Sequence, residues 1–237
     1  MKKSVEFQHL IPLRLYDLLK KLKRKFGFHT QLSRQLCRLL KVMPDFTFIQ
    51  VGANDGVSTD PYREFILESQ GKGILVEPSP WQMAKLRRNY RGRHNLIFEE
   101  VAISYESSSL ILHVPADPDR SGVASLSLEH VRAHSGDEIC QVQVTGARLE
   151  EVLAKHGMAR VDCLFLDVEG AEAEILMKMD FDLAGASIIS FENAHMGADR
   201  QKVTDRLFKH GYRVEEHGLD SIALRVTRTG SGGALAS

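Results

Sequence analysis

"FIQVGANDGVSTDPYREF", residues 48–65, runs from apolar residues into a Gly-Ala-Asn-Asp-Gly turn and out again into an amphipathic stretch. Phe46–Val51 reads as a buried strand and Asp60–Ser69 as a helix. Pro61 suits the first helical turn, where its missing N–H costs nothing. Gly52 and Gly56 let the chain turn sharply and let a ligand approach the backbone, and the helix that follows aims its first N–H groups at whatever the turn holds. The turn is not G-x-G-x-x-G, because Asn54 and Asp55 stand where a pyrophosphate loop has glycine, and an aspartate repels phosphate. It suits a cation, an amine or a sulfonium. A turn held only by its own Asn and Asp is the alternative.

The same alternation continues downstream. Gly73–Glu77 (GILVE) reads as a second strand, Pro80–Tyr90 as a helix, and Asn95–Ile103 as a third strand with Ser109–Val114 paired beside it. Gln141–Val144 alternates as an exposed strand does. Leu149–His156 is helical, Val161–Asp167 a buried strand, Ala171–Met179 a helix, Ala186–Glu192 a strand and Asp199–His210 a helix. Such a pattern predicts an α/β domain with a doubly wound, mostly parallel sheet. Tyr212–Glu216 and Ser221–Val226 lie too close for a helical crossover and should pair as an antiparallel hairpin. Residues 115–140 form a long polar insertion, which either has a job or is mobile.

The 237 residues suffice for one large domain with its own core. Formal net charge is zero, so the molecule as a whole does not announce an acidic partner, and no nucleic-acid substrate is expected. Residues 1–45 differ: they hold eleven basic and three acidic side chains, a net of +8. Their leucines recur at helical spacing, which predicts two short basic amphipathic helices. These either cap the main domain or attach it to a membrane surface or protein partner. The domain proper is expected over residues 46–228, with a disordered tail at 229–237. Cys37, Cys140 and Cys163 have no metal-ligand spacing and cannot all pair, which fits a reducing, cytoplasmic setting. No metal is expected. No membrane span or secretion signal is visible.

In a doubly wound sheet, ligands bind beyond the carboxyl ends of the strands where the strand order reverses. Three segments should meet there. The first is Gly52-Ala53-Asn54-Asp55-Gly56. The second is Glu77, which ends a strand roughly 20 residues later, where dinucleotide-binding sheets place an acid on the ribose hydroxyls; capping of its own turn is the alternative. The third is Asp167-Val168-Glu169-Gly170-Ala171-Glu172, in which carboxylates follow an apolar strand directly. Helix capping explains Glu172 better than Asp167.

Together, "FIQVGANDG…DP", "GILVEPSP", "VAIS" and "LFLDVEGAEAEIL" resemble the FkbM family of S-adenosylmethionine-dependent methyltransferases, in order over residues 46–226. The resemblance implies a seven-stranded, Rossmann-like class I methyltransferase fold with S-adenosylmethionine across the strand ends. Gly52, Ala53, Asn54, Asp55 and Gly56 would line its methionine and ribose side. Glu77 would hold the ribose, Pro78 and Ser79 would lie beside the adenine, and Val101 and Ala102 near its edge. Asp167 and Glu169 would stand near the methionine ammonium and the methyl. Many relatives have an acid where this chain has Gln50, and another soon after the third strand, where Ser104 and Tyr105 precede Glu106.

Methyl transfer to an alcohol needs alignment, a dry pocket and a base for the hydroxyl proton. Asp167 and Glu169 are candidates for that base or serve the cofactor only. His195 is a third candidate, or a solvated loop residue. Ser121, Gly122 and Ser125 could close over the acceptor. The reaction expected is O-methylation of a sugar, glycan or secondary metabolite. The alternative is a non-catalytic scaffold on the same fold. A nicotinamide enzyme is disfavoured by the missing third glycine and by Asp55.

Overall fold

The computed structural model describes residues 36, 39, 40, 43–58, 60–117, 124–135 and 138–226. The expectations for Cys37, Ser121, Gly122, the tail and most of the basic N-terminal segment lie outside the described residues.

Seven strands form one sheet. They are β1 (Phe48–Val51), β2 (Gly73–Val76), β3 (Leu96–Glu99), β7 (Val161–Leu166), β8 (Ala186–Glu192), β9 (Tyr212–His217) and β10 (Asp220–Arg225). Their order is β3-β2-β1-β7-β8-β10-β9. All neighbours are parallel except β10, which runs antiparallel between β8 and β9. The predicted hairpin thus closes one edge. Between them lie α1 (Arg63–Glu68), α2 (Pro80–Asn89), α4 (Leu149–Lys155), α5 (Glu172–Lys178) and α6 (Asp199–Lys209).

Alternate strand residues point to opposite faces, and each face carries its own core. Ile49, Val51, Ile74, Val76, Leu164 and Leu166 pack with Leu153, Ile175, Leu176 and Leu207 of α4, α5 and α6. Phe48, Leu75, Cys163, Phe165 and Ile188 pack with Phe65, Ile66, Met83 and Leu86 of α1 and α2. Leu36 and Leu40 belong to this second core, so side chains from before residue 45 help to build the domain. Of the other cysteines, Cys140 is exposed and Cys163 buried, both as free thiols.

Two expectations are corrected. The strand foreseen over 95–103 breaks after Glu99, whose carboxylate is held by Lys155 Nζ at 2.9 Å and by His156 Nε2. The chain then leaves the main sheet, and β4 (Ala102–Ile103) pairs with β6 (Ile139–Ala147). Likewise β5 (Ser109–Pro115) does not lie beside β3. It pairs antiparallel with β6, matching Leu112 to Val142 and Leu110 to Val144. Order β4-β6-β5 makes a second sheet over a small core of Ala102, Leu112, Val114 and Val144. The polar insertion contains a helix, α3 (Leu128–Ser135).

Candidate active site

The strand order reverses between β1 and β7, which leaves a crevice beyond their carboxyl ends. The Gly52 and Ala53 N–H groups both donate to the Val76 carbonyl at 3.0 Å, while the Asp167 N–H donates to the Val51 carbonyl at 3.0 Å. The three strand tips are therefore stitched together by backbone. Gly52 has φ +82°, and a Cβ there would fall 1.8 Å from the Asp167 carbonyl oxygen. Only glycine permits that approach.

Glu77, 6% exposed, caps this junction from β2. Its Oε2 accepts from the Asn54 N–H at 2.9 Å and its Oε1 from the Ser79 N–H at 2.8 Å. Burial pushes its carboxyl up to about 7, against the pull of those two N–H donors. Across the crevice, the loop after β7 is shaped by Glu172. That buried carboxylate accepts from the Val168 N–H at 2.8 Å and the Gly170 N–H at 3.0 Å. Glu169, between them, takes φ +51°, a conformation that side chains adopt only when neighbours hold them there.

These tips open on a shared cleft. Gly52, Ala53 and Asn54 form its base, Glu77 and Pro78 one wall, and Asp167, Val168 and Glu169 the facing wall. Val101, Ala102 and Leu112 make an apolar side, and Ser125 and Leu126 cover it from the insertion. Ser125 Oγ donates to the Glu169 carbonyl at 3.1 Å, which ties that cover to the loop after β7. The insertion is thus part of the cleft, at least through Ala124, Ser125 and Leu126.

Four expected site residues stand off the lining. Asp55 turns back on its own loop and accepts from the N–H groups of Val57 at 2.8 Å and Ser58 at 2.6 Å, and from Ser58 Oγ at 2.7 Å. Burial would raise its pKa, but these donors outweigh it and hold the carboxyl below its ordinary value. Gly56 meets α2: a Cβ there would lie 2.4 Å from the Tyr90 ring. Ser79 is fully buried as the N-cap of α2. His195 packs against His130 and His134. Its pKa is lowered, chiefly by burial, with Glu192 pulling the other way.

Among the lining residues not singled out as site residues from the sequence, two are joined by a hydrogen bond. Gln50 lines the cleft and donates from Nε2 to Asp60 Oδ1 at 3.1 Å. Asp60 also accepts the Tyr62 N–H at 2.9 Å and lies in the same lining. The carboxylate absent at position 50 is therefore present ten residues later. Nothing in the spacing flags it, because Asp60 reads as the residue that opens a helix before Pro61.

The sequence model of the methyltransferase FkbM domain matches residues 50–214. A 2-O-methyltransferase, NoeI, of Sinorhizobium fredii is 26% identical over 161 residues. That alignment covers 65% of this chain and 65% of the relative, just under two thirds of its length. Among solved structures, the methyltransferase FkbM of Methylobacillus flagellatus aligns with TM-score 0.47 and 12% identity over 76% of this chain and 44% of its own. A putative RNA methyltransferase of Pyrococcus horikoshii aligns with TM-score 0.48 and 12% identity over 86% of this chain and 84% of its own. With the family match spanning residues 50–214, most of the chain, the protein belongs to the methyltransferase FkbM domain family.

Proposed function

We propose that the protein binds S-adenosylmethionine in the cleft between β1, β2 and β7 and methylates a hydroxyl of a sugar, glycan or secondary metabolite. The observation that carries this reading is Glu77: a buried carboxylate at the tip of β2, braced by the Asn54 and Ser79 N–H groups, facing the same cleft as Asp167 and Glu169. A carboxylate can take both hydroxyls of a ribose diol side by side. The donor set fits the rest of the molecule too. Asp60 and Asp167 supply negative charge for an ammonium and a sulfonium, Gly52 leaves the base of the cleft open, and Val101, Ala102 and Leu112 offer an apolar side for a purine. Buried Gln50 Oε1 and Asn54 Oδ1 lack hydrogen-bond donors among the described residues, and a ligand can satisfy them.

The bound cofactor supplies a methyl group already activated on a sulfonium. The protein's share is alignment and exclusion of water. Leu112, Ala124 and Leu126 supply apolar cover. A carboxylate on the β7 loop, Asp167 or Glu169, would take the acceptor hydroxyl's proton. Hydroxyl specificity draws support from NoeI, which is named a 2-O-methyltransferase. Residues 1–45, strongly basic, serve in this reading to attach the enzyme to an anionic surface or partner. The test is transfer of labelled methyl from S-adenosylmethionine to glycan and metabolite fractions. Label on a hydroxyl supports the reading; label on nitrogen or carbon only would overturn it.

A further inference from the structure

Beside the cleft, three imidazoles converge. His130 and His134 lie one turn apart on α3 and stack with ring centroids 4.1 Å apart. His195, in the loop after β8, meets them edge-on at 4.9 and 5.6 Å. One ring nitrogen of each lies within 4.8 Å of the others. Ring packing accounts for the contacts but not for the nitrogens. His134 Nδ1 is 2.6 Å from the His130 carbonyl oxygen. A carbonyl only accepts, so Nδ1 carries the proton and Nε2 the lone pair. That Nε2 is buried and has no hydrogen-bond partner among the described residues. His130 Nε2, on a side chain only 8% exposed, makes no hydrogen bond among the described residues but pairs with Glu169 Oε2 if the ring is protonated.

A buried imidazole nitrogen without a hydrogen bond, as His134 Nε2 is, is costly unless something else binds it. A tautomer fixed by a backbone carbonyl, with the other nitrogen bare, is the way metal-ligating histidines are held. Glu169 Oε2 stands 3.2 Å from His130 Nε2, and two ligands on metal bonds of ~2.0–2.1 Å sit about 3.0–3.4 Å apart. Glu192, buried at the end of β8, comes within the same 4.8 Å reach of Glu169 and His195 and adds negative charge.

We infer that His130, His134, His195 and Glu169 bind one divalent transition-metal ion of the kind imidazole favours, such as zinc. Exposed His195 has room to swing onto the ion. Because Glu169 also lines the cleft, the ion stands at the cleft's edge. Resting on the methyl-transfer reading, a coordination position left open there takes the acceptor's oxygen and makes its hydroxyl more acidic, and Asp167 receives the proton.

The test uses untagged full-length protein stripped with a chelator and titrated with Co²⁺, followed by its visible absorption, and then with Zn²⁺ in competition. One equivalent of Co²⁺ is expected, with the intense bands of a low-symmetry nitrogen and oxygen site, displaced by Zn²⁺. His134→Ala and His195→Ala should each weaken binding by about tenfold or more. His195 is exposed, so its variant keeps the test open should a substitution on α3 impair folding, which circular dichroism would reveal. No Co²⁺ bands at one equivalent, or affinity unchanged in the folded His195→Ala variant, would overturn the site. S-adenosylmethionine titration of the stripped protein reads the cofactor assignment separately: metal binding and cofactor binding can each fail without the other.

Discussion

Glu77 is held between two backbone N–H groups and the cleft, and its charge decides what it can grip. Its folded pKa, raised by burial to about 7, exceeds the unfolded value of 4.5. Without ligand the folded state therefore holds the proton more tightly. The group's contribution to stability is full below pH 4.5 and is lost as pH rises toward 7, by up to about 3 kcal/mol. Ribose hydroxyls favour the anion, so cofactor binding should expel a proton. Affinity for S-adenosylhomocysteine should fall between pH 8 and pH 6, by up to about tenfold per unit below the pKa. Glu77→Gln should lower affinity by about tenfold or more and flatten that pH dependence; calorimetry at both pH values reads both effects. Asp55 differs: its own loop donors hold its carboxyl below the ordinary value. Asp55→Ala should cost about 1 kcal/mol in urea unfolding and change cofactor affinity less than about threefold. The sequence put both carboxylates in one pocket, because spacing brings residues to a strand tip but does not tell which way a side chain turns. A short acid after Asn reaches its own N–H groups first.

The strands buried on both faces, and their pairing as a parallel sheet, were legible from runs such as GILVE and VDCLFLD, since burial on both faces demands continuous apolar sequence. The break between β3 and β4 was not. It depends on Glu99 meeting Lys155 and His156 more than fifty residues away, and long-range pairing leaves no local signature. Helix α3 was hidden for a different reason: "LEHVRAHS" sits in a polar stretch, and only Val131 and Ser135 are buried. With the helix in place, His130 and His134 share a face; in a loop the same spacing means nothing. The turn after β1 makes the strictest demand of any connection. Gly52→Ala combines a left-handed backbone with a Cβ 1.8 Å from the Asp167 carbonyl. It should destabilise by about 2–5 kcal/mol in chemical denaturation and abolish cofactor binding by prising β7 from β1.

Across the whole molecule, two cores on opposite faces of one sheet hold the three strand tips in register, and the cleft exists only while both are intact. Leu36 and Leu40 are buried in the face covered by α1 and α2, which a division of the chain at residue 45 did not foresee: charge marked the segment as separate while these two leucines join the core. Removing residues 1–42 should therefore lower stability by about 3–6 kcal/mol through those two side chains, read as a lower urea midpoint. No helix among the described residues is long and apolar enough to cross a membrane. What the fold is built to present is a set of carboxylates around a glycine turn, suited to a cationic nucleoside and ill suited to a diphosphate. Calorimetric titration of the full chain with S-adenosylmethionine, alongside NAD, distinguishes the two. Saturable binding of S-adenosylmethionine at one site per chain, with none of NAD, is the expected result; heat from NAD alone, or from neither, would contradict it.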